Sequence, residues 1–331
     1  MSGKPQRPGV APPRLIGGLA VAALLAFALS LAIGPSGFGL GGAGEAADLI
    51  FWEIRMPRAV LGALVGAALG LSGAALQGYL RNPLAEPSLV GVSGGAALGA
   101  VLAIHLGLSQ TFALALPFGG LIGGAVAMLA VVALAGAHGG PVTLILAGLA
   151  VSGIATALIS LALNLSKNPF ASVEMVFWLM GSLADRSLTQ VWLAAPPILA
   201  GMAVLLFLGR ALDALTLGED AARSLGIDVA RTRLVLVAGT ALAVGAATSV
   251  TGVIGFVGLL VPHVLRPFVG HRPSLVLPAS ALAGAIFLLV ADIGLRLAQP
   301  WMDLRIGVLT ALIGAPFFVW LVLKTRAELA P

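Results

Sequence analysis

The sequence predicts an all-α protein, a polytopic transmembrane helical bundle of about ten spans. Three observations carry this prediction. Only 9% of the 331 residues are charged and 59% are hydrophobic, with a mean hydropathy of +1.08. A soluble domain has roughly 25% charged residues, so this chain cannot clothe a globule in polar surface. The apolar runs are continuous and about 20 residues long, as membrane helices require, rather than the alternating stretches of about ten that build a barrel. Finally, 44 glycines and abundant alanine let helices approach backbone to backbone, as small residues do in lipid.

The first run, Leu15–Ile33, follows a basic tail and has the outline of a secretory signal. It ends without a convincing small-residue cleavage site and is expected to remain as the first span. Ala59–Leu80 opens behind Arg55-x-Pro-Arg58 and closes at the polar turn Arg81-Asn-Pro-Leu-Ala-Glu-Pro87. Leu89–Leu106, Phe112–Ala135, Val142–Leu163, Val191–Leu208, Leu234–Val250, a short Gly255–Leu265, Ser274–Leu297 and Ile306–Leu323 complete ten spans. Phe170–Leu183 is apolar but too short to cross, and is placed as a helix outside the membrane. Pro117, Pro262, Pro278 and Pro316 predict kinked or broken helices. Residues 1–331 thus read as one transmembrane domain, with a tail at 1–14 and a loop at 209–233 on the cytoplasmic side.

Lysine and arginine set the orientation. With the N-terminus inside, twelve of the 18 fall on the cytoplasmic side: Lys4, Arg7, Arg14, Arg81, Arg210, Arg223, Arg231, Arg233, Arg266, Arg272, Lys324 and Arg326. Arg55, Arg58, Lys167, Arg186, Arg296 and Arg305 fall outside or near the outer ends. Both termini are therefore expected in the cytoplasm of a cell with an inner membrane. A pI near 10.7 also suits nucleic acid, but the basic residues sit at span ends rather than in a patch.

The loop Gly209–Arg233 predicts a short helix over Ala214–Leu225, with Glu219 and Asp220 early and Arg223 late, as a helix dipole prefers. Its moderately apolar face suggests docking to a cytosolic partner rather than a merely solvated loop.

Chemical motifs are sparse. The three lysines, Lys4, Lys167 and Lys324, follow no glycine-rich phosphate loop, so any ATP hydrolysis resides on another chain. The absence of cysteine excludes disulfides and thiolate sites. His105, His138, His263 and His271 are scattered without metal-ligand spacing. Gly91-Val-Ser93-Gly94 fits a motif of intramembrane serine proteases, but Gly70-Leu-Ser-Gly73 fits it equally, and only His263 offers itself as a base. Asp292, the one acid well inside an apolar run, reads either as a proton carrier or as an i, i+4 ion pair with Arg296. The pair is the favoured reading, since no second acid is present for a relay.

Together these residues resemble the FecCD-type permease family, the membrane subunits of type II ABC importers for iron–siderophore complexes, haem and vitamin B12. The resemblance rests on Arg55-x-Pro-Arg58, Gly73-Ala-Ala-Leu-Gln77, Arg81–Pro87, Gly91–Gly94 and Trp178-Leu-Met-Gly-Ser182. It continues through Leu217–Gly226, Gly252–His263, Ala291-Asp292 with Arg296, and Gly307–Pro316. The chain departs from the family at Arg305, where a proline is usual.

The resemblance implies a transport subunit rather than an enzyme. It also implies no cofactor of its own, a second copy of the chain, two cytosolic ABC ATPases and a periplasmic substrate-binding protein. Arg55, Arg58 and Arg296 would dock the binding protein, as guanidinium forks onto carboxylates. Leu217, Gly218, Glu219, Ala222, Arg223, Leu225 and Gly226 match the helix that couples to the ATPase. Asn82, Leu84, Pro141, Val142 and Thr143 match the cytoplasmic gate, and Ser152, Thr156 and Ser160 line a pathway on Val142–Leu163, with Ile306–Leu323 also bordering it. The expected cargo is an iron(III) chelate, a siderophore complex or haem, with a corrinoid as the alternative. A proton-coupled carrier using Asp292, or a protease using Ser93, would need none of these partners.

Overall fold

The computed structural model describes residues 12–34, 37–38, 45–136, 139–299 and 301–329. Lys4, Arg7, most of the N-terminal tail and His138 lie outside the described residues. α1 is Pro12–Ala32, followed by an antiparallel pair of two-residue strands, β1 (Ile33–Gly34) and β2 (Gly37–Phe38). α2 (Glu45–Leu49) runs through a π-helical stretch, Ile50–Arg55, into α3 (Met56–Leu80). A 3-10 turn, Pro87–Val90, leads to α4 (Val92–His105), α5 (Leu108–Thr111), α6 (Ala115–Ala135) and α7 (Pro141–Leu165). Next come α8 (Pro169–Leu179), α9 (Leu188–Phe207), α10 (Gly209–Leu215) and α11 (Glu219–Ser224). α12 (Val229–Thr240) continues through a π turn into α13 (Ala246–Thr251), and α14 (Val257–Val269), α15 (Pro273–Ala298) and α16 (Ile306–Leu329) close the chain.

Among the described residues, eight continuous helices are long and apolar enough to cross a membrane. They match eight of the ten expected spans. The other two, α4 and α14, have 14 and 13 residues. At 1.5 Å per residue each covers about 20 Å, short of the roughly 30 Å hydrocarbon core. α8, with 11 residues, is too short to cross, as expected.

The helix breaks are set by glycine more than by proline. Pro262, Pro278 and Pro316 lie inside continuous helices, and Pro117 sits in the first turn of α6, where its missing N–H costs nothing. The real interruption follows α13, where Gly252 turns at φ +72° and Phe256 takes the left-handed conformation before α14 begins. Glu86 accepts the backbone N–H of Phe256, placing a carboxylate at the N-terminus of α14, where the helix dipole favours it. Gln77, 1% exposed, brings its Nε2 within 3.2–3.3 Å of the carbonyls of Ala85, Gly258 and Leu259. These two side chains staple the 81–91 loop, α3 and the broken helix into one unit.

α3 is the central post: 83% of its apolar window is buried inside the protein. It meets α15 at Gly66 and Gly284, where a side chain on either would collide with the other's carbonyl oxygen. α4 and α6 cross in the same manner at Gly99 and Gly119. By contrast, the apolar windows of α1, α7 and α16 are only 11%, 28% and 22% buried. Their exposed apolar faces are left for lipid or another chain.

Candidate docking, coupling and pathway sites

At the start of α3, Arg58 grips Asp292 of α15. Its Nε lies 3.0 Å from both carboxylate oxygens and its Nη2 2.8 Å from Oδ1. The predicted i, i+4 pair is also present, with Arg296 Nη2 3.1 Å from Asp292 Oδ2. One carboxylate, 1% exposed, thus serves two guanidiniums.

Arg296, expected to dock a binding protein, makes its contacts within this chain. Arg296 is 2% exposed. Its Nη1 donates to the carbonyls of Ser30 and Ile33, each at 2.7 Å, and its Nη2 to the Ser30 hydroxyl at 2.6 Å. Arg55 Nη1 adds a bond of 3.0 Å to the Leu31 carbonyl. The last carbonyls of a helix have no partner within it, and here two arginines from elsewhere supply donors at the end of α1. Arg296 is therefore an internal tie at this end of the bundle. Arg55 and Arg58 are half-buried at the same end, and Arg58 borders a cavity of about 500 Å³ with Arg186, Arg305, Glu53, Asp185 and Asp303. Burial pushes the Arg186 guanidinium below its usual value, with Asp185 opposing that and Arg305 adding to it. Arg305, the departure from the family pattern, stands 5.1 Å over the Phe177 ring.

At the opposite end of α3, the predicted helix Ala214–Leu225 is broken. α10 ends at Leu215, Gly218 turns at φ +105°, and α11 is only Glu219–Ser224. A conformation that side chains resist falls on glycine at position 218 and splits the helix. Arg223 pairs with Glu219 at 3.2 Å and Asp220 at 3.1 Å. Ala222 is fully buried, whereas Leu217 and Leu225 are 68% and 63% exposed. Two leucines thus flank the short helix and point away from the protein, and Gly226 turns the chain back at φ +83°.

Asn82 forms a local turn, its Oδ1 accepting the Leu84 N–H at 2.9 Å. The expected gate groups are joined only indirectly. The 81–91 loop meets α7 through Leu89, against whose carbonyl only glycine fits at 148, and through Ser88, whose carbonyl lies 3.4 Å from the Ser152 hydroxyl. Pro141, Val142 and Thr143 start α7 further along, with Val142 69% exposed. Thr156 and Ser160 donate to the carbonyls four residues back, at 2.9 and 3.0 Å. Their donors are committed to their own helix.

Ser93 is buried in the first turn of α4, and among the described residues no hydrogen bond joins it to His263, whose ring lies edge-on to Phe317 at 5.6 Å. Among those residues no cluster of three metal-ligating side chains occurs.

A model of the FecCD transport family matches residues 18–324. This chain belongs to the FecCD transport family. It is 40% identical over 319 residues to the vitamin B12 import system permease protein BtuC of Citrobacter koseri, covering 95% of each chain. It is 41% identical to the protein of that name from Shigella boydii, covering 93% of this chain and 94% of the relative. The fold also matches a solved chain described as an inward-facing conformation of a metal-chelate type ABC transporter. The TM-score there is 0.84 at 34% identity, covering 94% of this chain and 99% of that one. The chain is the permease subunit of an ABC importer, a role that implies ATPase partners and a substrate-binding protein.

Within this FecCD chain, Arg233 is the residue that sequence reasoning counted only as a topological charge. On α12, one turn past the Asp228 N-cap, it is 8% exposed and donates to the carbonyls of Gly139 and, at 2.6 Å, Gly136. It ties the segment after α11 to the loop that enters α7. A lone arginine in a polar loop carries no local signal of that contact, 94 residues away.

Proposed function

We propose that this permease imports a corrinoid, vitamin B12 or a close analogue, across the inner membrane, driven by ATP hydrolysis on partner chains. The observation that carries this reading is the identity of about 40% with permeases named for vitamin B12 import, extending over nearly the full length of both chains. An iron(III) chelate is the second reading, favoured by the 34% identical transporter of metal-chelate type.

In this proposal two copies pair across the exposed faces of α7 and α16, enclosing a pathway whose wall includes Ser152, Thr156 and Ser160. The Arg81 end faces the cytoplasm, as the positive-inside rule favours, and both termini lie there. Leu217 and Leu225, held outward on either side of α11, seat in the ATPase. Arg55 and Arg58 face the periplasm and meet carboxylates of the binding protein. ATP binding then shifts the permease between two states through contacts that differ between them, with Arg233 passing the movement of α11 to the entry of α7.

The test is uptake into proteoliposomes holding this chain, its ATPase and its binding protein, offered labelled cobalamin, ferric siderophore and haem with and without ATP. ATP-dependent uptake of cobalamin alone is expected. Uptake of only an iron complex would replace the corrinoid with the second reading. Uptake driven by a proton gradient without the ATPase would overturn both.

A further inference from the structure

At the Arg81 end of the bundle, a cavity of about 270 Å³ opens between the ends of α3 and α14 and the start of α15. Its ionisable lining is basic throughout: Arg81, Arg266 and His271, with Gln77 and Thr216 as neutral polar neighbours. Local structure sets the three in place. Arg81 ends α3 in the left-handed conformation at φ 49°, and Arg266 stands in the last turn of α14. His271 turns at φ 62° just after the glycine that stops that helix.

The carboxylate of Asp213, three residues before Thr216, is committed elsewhere. Asp213 accepts from the Ser274 N–H at 2.9 Å and its hydroxyl at 2.6 Å, and stands 3.7 Å from Arg272. Among the described residues, Arg81, Arg266 and His271 form no ion pair. Arg266 is half-buried, and a desolvated guanidinium without a counter-charge is costly. An anion in the cavity removes that cost, and a phosphate matches the guanidinium fork.

We propose that this cavity binds a phosphate anion, presented by a phospholipid headgroup or free in solution. Basic pockets between membrane helices suit anionic headgroups.

The test uses the delipidated full chain in detergent. Dioleoylphosphatidylglycerol, dioleoylphosphatidylcholine and inorganic phosphate are titrated in separate arms, with bound lipid read by native mass spectrometry and phosphate by thermal unfolding. Saturable binding in the phosphatidylglycerol or the phosphate arm is expected, weakened about fivefold by Arg81→Gln or by Arg266→Gln. Phosphatidylglycerol binding that inorganic phosphate fails to displace identifies the lipid, and protection by phosphate alone identifies the free anion. Arg81 is exposed, so Arg81→Gln keeps the test decisive if Arg266→Gln misfolds. Equal binding of both lipids by wild type and variants, or no response to either anion, would overturn the proposal. So would a defect of Arg81→Gln confined to ATPase assembly in lipid-free detergent, since the basic cluster would then be a protein contact.

Discussion

Replacing Asp292 by alanine should unfold the Arg58 end of the bundle more than any other single loss of charge. The carboxylate is 1% exposed and receives Arg58 at 2.8–3.0 Å and Arg296 at 3.1 Å. Without it Arg58, whose side chain is 17% exposed, can turn toward water, but Arg296 cannot. Its remaining partners are two carbonyls and a hydroxyl, none of them charged. Breaking a buried pair from one side costs about 3–5 kcal/mol, because the other charge is left uncompensated. Removing both charges is milder, since an apolar pair of similar volume often matches a buried salt bridge. Asp292→Ala with Arg296→Met should therefore be less destabilised than the two single changes added together, by about 1–3 kcal/mol. The assay is reversible unfolding of the four variants in bicelles, followed by steric trapping. Additivity within about 0.5 kcal/mol would refute the reasoning and show that the two charges do not depend on each other.

Four further outcomes are expected. Leu217→Glu with Leu225→Glu should abolish co-purification of the ATPase while moving stability by less than about 0.5 kcal/mol, because both side chains are exposed; retained co-purification with coupled transport would count against this surface. Arg233→Met should leave ATP hydrolysis running while uptake falls, as the loop before α7 loses charged hydrogen bonds of about 1.5–3 kcal/mol each; the ratio of cargo moved to ATP hydrolysed reads this, and Arg233→Lys should restore part of it. Gly284→Val should destabilise by at least about 3 kcal/mol, since its Cβ collides with the Gly66 carbonyl; wild-type thermal stability would show that α3 and α15 can separate freely. Asp292→Asn should retain ATP-driven uptake if it folds, with the same dependence on external pH as wild type; selective loss of pH-dependent uptake would instead mark Asp292 as a proton carrier.

What the sequence made legible follows physical range. Apolar runs report burial in lipid directly, so the eight long and three shorter apolar helices among the described residues were readable, and so was the Asp292–Arg296 pair, which helical spacing brings together. Arg58 and Asp292 are 234 residues apart, and nothing in their local context links them. The contacts of Arg296 with α1 were hidden for a similar reason. Its place near a span end suggests a rim, but the end of α1 folds over it and turns its donors inward. The coupling helix was overextended because charge placement signals a helix across Gly218 without registering the left-handed turn there. α4 was read as a longer span, Leu89–Leu106, because the residues before it are apolar, although Gly91 starts the helix only at Val92; α14 runs to Val269, beyond the short span expected at Gly255–Leu265.

The tie between Arg296 and the end of α1 also bears on how the protein is made. α1 leaves the ribosome first, yet only 11% of its apolar window is buried, and its chief polar anchor lies 266 residues further along the chain. Until α15 arrives, the bond from Arg55 to the Leu31 carbonyl is the earlier of its two arginine ties. The first helix inserted is thus among the last to be secured. A ribosome that stops before residue 296 leaves the carbonyls of Ser30 and Ile33 without their arginine, a state that membrane quality control can distinguish from the finished bundle.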